Sequence, residues 1–157
     1  MPSIVPLLAI ALVLFSAFPA GAREFKAGDI VVSNPWSRVT PNGAKVGAGY
    51  MVIENRGMVA DRLVGGSVEA AARFEIHDTV IEQGVMRMRQ LPGLELPPGK
   101  VVEVKPGGLH IMFVDFEYPL AAEQKAKGRL QFERAGTIEV EFEVIKMGAR
   151  PPGGRKE

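Results

Sequence analysis

The chain has 157 residues, a formal net charge of +1 and no cysteine, and its charged residues are scattered along the sequence. This balance provides no basic patch of the kind that a nucleic-acid-binding protein normally needs. The lack of cysteine excludes disulfides, zinc fingers and a cysteine nucleophile.

The chain begins with a predicted secretory signal peptide at residues 1–22. This segment contains no Lys, Arg, Asp or Glu, is mostly apolar over residues 4–18, and ends in small residues before Arg23. That order is typical of an export signal, although a basic residue is missing from its start. A membrane-spanning helix needs ~20 apolar residues, and the apolar run at residues 4–18 is shorter than that. We therefore expect cleavage near Arg23, a periplasmic protein and no stable membrane insertion afterwards; an uncleaved anchor is the alternative.

Residues 23–147 are predicted to form one β-sandwich domain, followed by a disordered tail at residues 148–157. Glycine and proline divide this part of the chain into β-branched runs at intervals of about 8–12 residues, which is typical of an all-β sandwich or barrel. The tail is rich in Gly, Pro and charge. Nine candidate strands cover residues 30–33, 49–54, 61–68, 73–80, 85–90, 101–104, 110–113, 128–133 and 137–146.

The candidate functional residues form the pattern His77-x10-Met88-x21-His110-x-Met112, which includes both histidines of the chain. Thioether sulfur is a soft, neutral ligand and imidazole is borderline. The set therefore suits Cu(I) better than Mg²⁺, Ca²⁺ or Mn²⁺, which prefer oxygen. Zinc sites normally use Cys, His and carboxylate, so methionine argues against zinc.

Strand periodicity gives these residues an expected arrangement. His110 and Met112 are two positions apart, so on a strand they project from the same face. His77 alternates with apolar neighbours and is expected to face outward together with Glu75. A turn at residues 82–84 is expected to let His77 and Met88 approach across a hairpin.

The residues alone leave a second interpretation open. Met112 lies in the apolar run 109–114, and methionine is an ordinary core filler. Met86 is expected to have a packing or rim role, Met58 to lie in a loop, and Trp36 to be a packing anchor.

Residues 77–88, 91–95 and 105–112 resemble the periplasmic copper chaperones of the PCu(A)C family. All four ligand positions of that family's motif, H(M)-x10-M-x21-H-x-M, are matched here. The optional methionine after the first histidine is absent, because Asp78 stands there. The similarity extends through residues 50–57 and to about residue 145.

The resemblance implies a cupredoxin-like Greek-key β-sandwich that binds one Cu(I) per chain through His77, Met88, His110 and Met112. It also implies delivery of copper to an acceptor such as cytochrome c oxidase subunit II, with the Cu-A site as destination, or to another assembly chaperone. The alternative function is a metal-free adhesion or assembly module of the cell envelope. A copper oxidase has less support, because no further redox-cofactor or substrate motif is visible.

Overall fold

A computed structural model describes residues 23–153, which form eleven β-strands. Over this range no helix is long and apolar enough to cross a membrane. The strands are β1 Glu24–Ala27, β2 Ile30–Arg38, β3 Val46–Asn55, β4 Asp61–Val68, β5 Ala71–Glu82, β6 Val85–Leu91, β7 Leu94–Leu96, β8 Val101–Val104, β9 His110–Phe116, β10 Lys125–Phe132 and β11 Gly136–Ile145.

The predicted signal peptide at residues 1–22 and the last four residues lie outside the described range. Part of the predicted tail is described: the Ala149 carbonyl accepts a hydrogen bond from Arg38 Nη1 at 3.4 Å. The division into signal peptide, domain and tail stays a prediction.

The strands form a single sheet that closes on itself. Its order is β1-β2-β11-β10-β4-β5-β9-β3-β8, and an additional pairing of β2 with β3 completes the ring. β6 extends outward from β5, and β7 pairs with β4. Apart from the parallel pair of β11 and β2, the strand pairs of this sheet are antiparallel. The predicted all-β class is therefore confirmed.

All nine predicted strands are present, but the expected number is too low because β1 and β7 have only four and three residues. The predicted end of β2 at Ser33 is also wrong. Asn34 and Pro35 look like a turn in the sequence, yet the pairing with β3 shifts between Ser33 and Trp36 and then continues. A β-bulge tolerates proline, because the ladder is interrupted there in any case.

The core lies inside the closed sheet and is centred on aromatic rings. Phe113 is fully buried, and its ring centroid lies 5.2 Å from that of Phe142 and 6.1 Å from that of Phe74. Gly49 leaves room for this cluster, since a Cβ there would stand 2.5 Å from the Phe113 ring. Strand alternation then turns the neighbours of Phe113 to the outer face of the sheet. The core and the candidate ligands are thus on opposite faces of the same strands.

We expect Phe113→Ala to lower the free energy of unfolding by about 3–5 kcal/mol, because it removes a large ring from a fully buried position. Urea denaturation of the purified protein measures this change. Val101→Ala is the control: Val101 is 57% exposed, so its truncation should stay within about 0.5 kcal/mol. A Phe113→Ala variant as stable as the wild type would contradict this description of the core.

Candidate metal site

The two histidines face each other across neighbouring strands. His77 of β5 is registered directly opposite His110 of β9, and their ring centroids are 5.8 Å apart. Residues opposite each other in an antiparallel pair project from the same face. His110 is 9% exposed, and the His77 side chain is 13% exposed. Both imidazoles are thus shielded from water, although they lie on the outer face.

Met112 adjoins this pair on the same face. It follows His110 by two positions on β9. The residue opposite it on β5 is Glu75, which precedes His77 by two positions. On its other side it is registered with Ala48 of β3, and its side chain is half-buried. Met112 is therefore a diagonal neighbour of His77, within the range over which a long side chain reaches across a strand pair.

Met88 shares this face but lies at its edge. The residue opposite His77 on β6 is Gln90, whereas Met88 is opposite Thr79. Met88 is 66% exposed. Met88 and Met112 lie on either side of β5, opposite Thr79 and Glu75, which are four positions apart on that strand. In a flat sheet this offset corresponds to about 16 Å between the Cα atoms of the two methionines. The structure therefore brings His77, His110 and Met112 together, and Met88 joins them only if the β5–β6 hairpin curves over the pair.

The turn between β5 and β6 fixes the position of Met88. Glu82 pairs with Val85, so the loop consists of Gln83 and Gly84 alone. Both have positive φ, 52° and 78°, as a type I′ turn requires. A two-residue turn sets the register of every following pair, including that of Met88 with Thr79. The expected approach of His77 and Met88 across a hairpin is thus diagonal.

The imidazole nitrogens have different surroundings. His77 Nε2 lies 2.9 Å from Glu75 Oε2, while His77 Nδ1 is buried and has no hydrogen-bond partner among the described residues. His110 Nδ1 lies 2.8 Å from the Gly108 carbonyl oxygen. Buried polar atoms are normally satisfied, so an orphaned nitrogen in a ring that lies 5.8 Å from a second imidazole fits a missing ligand.

An ion-pair network holds Glu75 in place. Arg73 Nη1 donates to Glu75 Oε1 at 2.7 Å, and Arg73 Nη2 lies 3.1 Å from Asp115 Oδ2. The Glu75 side chain is only 17% exposed. Strand alternation predicts that Glu75 faces outward beside His77, but it gives Glu75 no role. The signal in the sequence is that Glu75 precedes His77 by two positions, so that both side chains project from the same face of a strand.

Other residues named from the sequence fall outside this set. Trp36 is buried, with its ring centroid 4.5 Å from that of Tyr50, which confirms its packing role. Burial raises the pKa of Tyr50, and the charge of Arg38 offsets part of that rise. Met86 is 65% exposed and Met58 is 92% exposed.

We define the histidine face as the outer surface of β5, β6 and β9 that carries Glu75, His77, Met88, His110 and Met112. Across residues 23–153 no group of three or more His, Asp or Glu side chains is placed to hold a metal ion. Besides the Glu75 carboxylate, this face carries imidazole nitrogen and thioether sulfur as candidate donors.

Comparisons with known proteins point to one family. A family model described as "Putative lipoprotein LpqE-like" matches residues 30–144. The "Putative lipoprotein Lxx21020" of Leifsonia xyli subsp. xyli is 30% identical over 129 residues, which cover 80% of this chain and 76% of the relative.

Solved structures share the fold. The copper-bound PCuAC domain from PmoF2 is 26% identical, with a TM-score of 0.69 over 79% of this chain and 98% of that domain. The solution structure of CuI-DR1885 from Deinococcus radiodurans is 21% identical, with a TM-score of 0.61 over 80% of this chain and 83% of that one, and is similar in fold alone. These likenesses confirm the predicted resemblance to the PCu(A)C family and the cupredoxin-like fold.

Proposed function

We propose that this chain, which belongs to the LpqE-like family, binds one Cu(I) ion on its histidine face and carries it to an acceptor protein. The observation that carries the proposal is the direct pairing of His77 with His110, with both candidate methionines on the same face. The similar PCuAC domain from PmoF2 has been obtained with copper bound. The proposed ligands are His77, Met88, His110 and Met112.

The donor set favours Cu(I) over other ions. Two imidazoles and two thioethers contain no carboxylate for a hard cation and no thiolate for a blue-copper centre. All four ligands are neutral, so the bound ion keeps its positive charge. A soft monovalent ion tolerates this environment better than a divalent one, whose charge is usually balanced by anionic ligands. The site is thus suited to holding copper in one oxidation state.

The unequal burial of the ligands provides a route for transfer. The histidines are shielded, whereas Met88 is 66% exposed at the edge of the sheet. An acceptor ligand can approach from the side of Met88 and bind copper before the other donor bonds break. Copper remains Cu(I) throughout, so the exchange requires no electron, and the neutral donors of the carrier release the ion without taking up a proton. The protein acts as a carrier in this scheme and not as a catalyst.

The location and the acceptor are the finer parts of the proposal. The predicted signal peptide and the lipoprotein names of the relatives support a place in the cell envelope, in the periplasm. The predicted resemblance supports delivery toward the Cu-A site of cytochrome c oxidase subunit II, or to another assembly chaperone.

We expect the mature protein to bind one equivalent of Cu(I) under reducing conditions and to remain colourless. The reason is that no thiolate is available to give intense charge-transfer absorption. Titration with Cu(I) against a chromophoric chelator gives the stoichiometry, and the visible spectrum gives the second result. An intense blue form, or no uptake of copper, would overturn the proposal, and the latter would favour a metal-free envelope module.

We expect Met112→Leu to weaken Cu(I) binding by about tenfold or more, equivalent to ~1.4 kcal/mol, because an alkyl group replaces a donor. Met88→Leu should also weaken binding, by a smaller factor because Met88 lies at the edge of the site. His110→Ala should have the largest effect, because imidazole is the stronger donor. The other histidine, His77, is already a proposed ligand and cannot replace it. Competition of each variant against a Cu(I) chelator measures these affinities.

Met86→Leu and Met58→Leu are the matched controls and should bind copper as the wild type does. All four Leu variants roughly preserve side-chain volume, so thermal stability without copper should change by less than about 1.5 kcal/mol. If Met88→Leu and Met112→Leu both retain wild-type affinity, the four-ligand assignment is wrong.

We expect the mature protein to fold without copper. The core lies inside the closed sheet and the histidine face lies outside it, so loss of the ion leaves the buried aromatic cluster intact. Circular dichroism of the copper-free protein should show the β-structure. Copper should then raise the melting temperature by an amount set by its concentration relative to the dissociation constant. An unfolded copper-free protein would contradict this expectation.

A further inference from the structure

We propose that Glu75 is a positioning residue that fixes the His77 imidazole so that Nδ1, and not Nε2, is its copper-binding atom. This inference rests on the proposed function, because it concerns how the same site presents its donors. It adds a residue outside the four-ligand motif and assigns a ligating atom to each histidine.

The contact between Glu75 and His77 determines where the ring proton lies. Glu75 Oε2 is 2.9 Å from His77 Nε2. An ionised carboxylate only accepts hydrogen bonds, so Nε2 must carry the hydrogen and donate it. In a neutral ring the lone pair is then on Nδ1. This atom is buried and has no hydrogen-bond partner among residues 23–153. The free lone pair therefore belongs to a ring whose centroid lies 5.8 Å from that of the His110 imidazole.

His110 is held in the opposite tautomer. Its Nδ1 lies 2.8 Å from the carbonyl oxygen of Gly108. Because a carbonyl oxygen only accepts, Nδ1 of His110 carries the hydrogen and Nε2 retains the lone pair. The geometry thus assigns Nδ1 of His77 and Nε2 of His110 as the two nitrogen ligands. A copper ion requires no proton to leave either ring.

The second carboxylate oxygen of Glu75 belongs to a short ion-pair network. This oxygen accepts from Arg73 Nη1 at 2.7 Å, and Arg73 is in turn paired with Asp115 at 3.1 Å. Asp115 has a positive φ of 57°, an uncommon backbone conformation outside glycine, and lies within β9 between Val114 and Phe116, which both pair with β5. Outer carboxylates of this kind orient a histidine ligand and raise its basicity.

Glu75 also provides the negative charge that the ligands lack. It lies directly opposite Met112 and two positions from His77, so it adjoins two of the proposed ligands. A carboxylate is too hard to be a preferred Cu(I) ligand itself. Glu75 acts instead through His77, where it keeps the ring nitrogen Nδ1 available to the ion. Its negative charge also lies close enough to balance the positive charge of the ion.

Nitrogen-15 NMR of the uniformly labelled mature protein tests this assignment, because long-range ¹H–¹⁵N correlations identify the protonated nitrogen of each histidine. In the copper-free protein we expect His77 protonated at Nε2 and His110 at Nδ1. Cu(I) is diamagnetic, so the loaded protein can be measured as well. There we expect His77 to bind copper through Nδ1 and to retain its proton at Nε2.

Two substitutions separate positioning from general stability. Glu75→Leu removes the acceptor, so His77 should populate both tautomers and Cu(I) affinity should fall by about 10–100-fold. Glu75→Gln retains a carbonyl oxygen that can accept from Nε2, so it should restore most of the wild-type NMR pattern and affinity. Glu139→Leu and Glu139→Gln are matched controls on an exposed position of β11, and should alter neither readout.

The failure of this inference can be distinguished from that of the proposed function. Copper bound through Nε2 of His77, or a copper-free His77 protonated at Nδ1, would overturn the role of Glu75 while leaving copper binding intact. A Glu75→Leu variant with unchanged Cu(I) affinity and an unchanged His77 tautomer would also overturn the role of Glu75. A wild-type protein that binds no Cu(I) would overturn the proposed function, and the copper-free spectrum would still test the Glu75–His77 contact.

Discussion

The register between β5 and β9 is the constraint on which the rest of the site depends. His77 faces His110 because Ile76 faces Ile111 and Phe74 faces Phe113 in the same ladder. A slip of one residue would turn the imidazoles into the core and the apolar side chains to the surface. Burial of those side chains therefore determines the position of the histidines. The fold can hold its donors in place before an ion arrives, because the energy that fixes them comes from the opposite face.

A second, weaker constraint sets the far side of the site. The position of Met88 follows from the two-residue turn at Gln83 and Gly84 and from pairing along a hairpin whose second strand is exposed up to Leu91, which is partly buried. Few buried contacts hold β6, and regions with few such contacts open at low free-energy cost. The candidate site thus combines three candidate donors on strands anchored by the core, His77, His110 and Met112, with a fourth, Met88, on a strand held by few buried contacts. Such an arrangement allows a ligand to be exchanged without unfolding the protein.

The sequence was informative about residue types and faces, and less so about pairing. Alternation correctly placed His77 outward and showed that His110 and Met112 share a face, because a strand has a period of two. It could not show that β5 and β9 are neighbours, since that depends on how the whole sheet closes. The bulge after Ser33 was missed because Asn34 and Pro35 also suit a turn. The offset of Met88 from His77 follows from the length and type of the turn between β5 and β6, which are known only once the backbone angles of Gln83 and Gly84 are known. The ligand set itself stays a prediction.

The balance between holding and releasing copper can be traced to charge and burial. Neutral donors bind Cu(I) without the strong attraction that a thiolate would add, so the ion leaves more easily to a partner with anionic ligands. Shielded histidines oppose that tendency, because water cannot readily compete for a buried ion. Glu75, which is paired with Arg73, adds one negative charge close to His77; in the proposed site this charge would stabilise the ion without becoming a ligand that must be displaced. In the proposed transfer an acceptor therefore has to break only bonds to neutral atoms, beginning at the exposed methionine, while the carboxylate remains with the carrier.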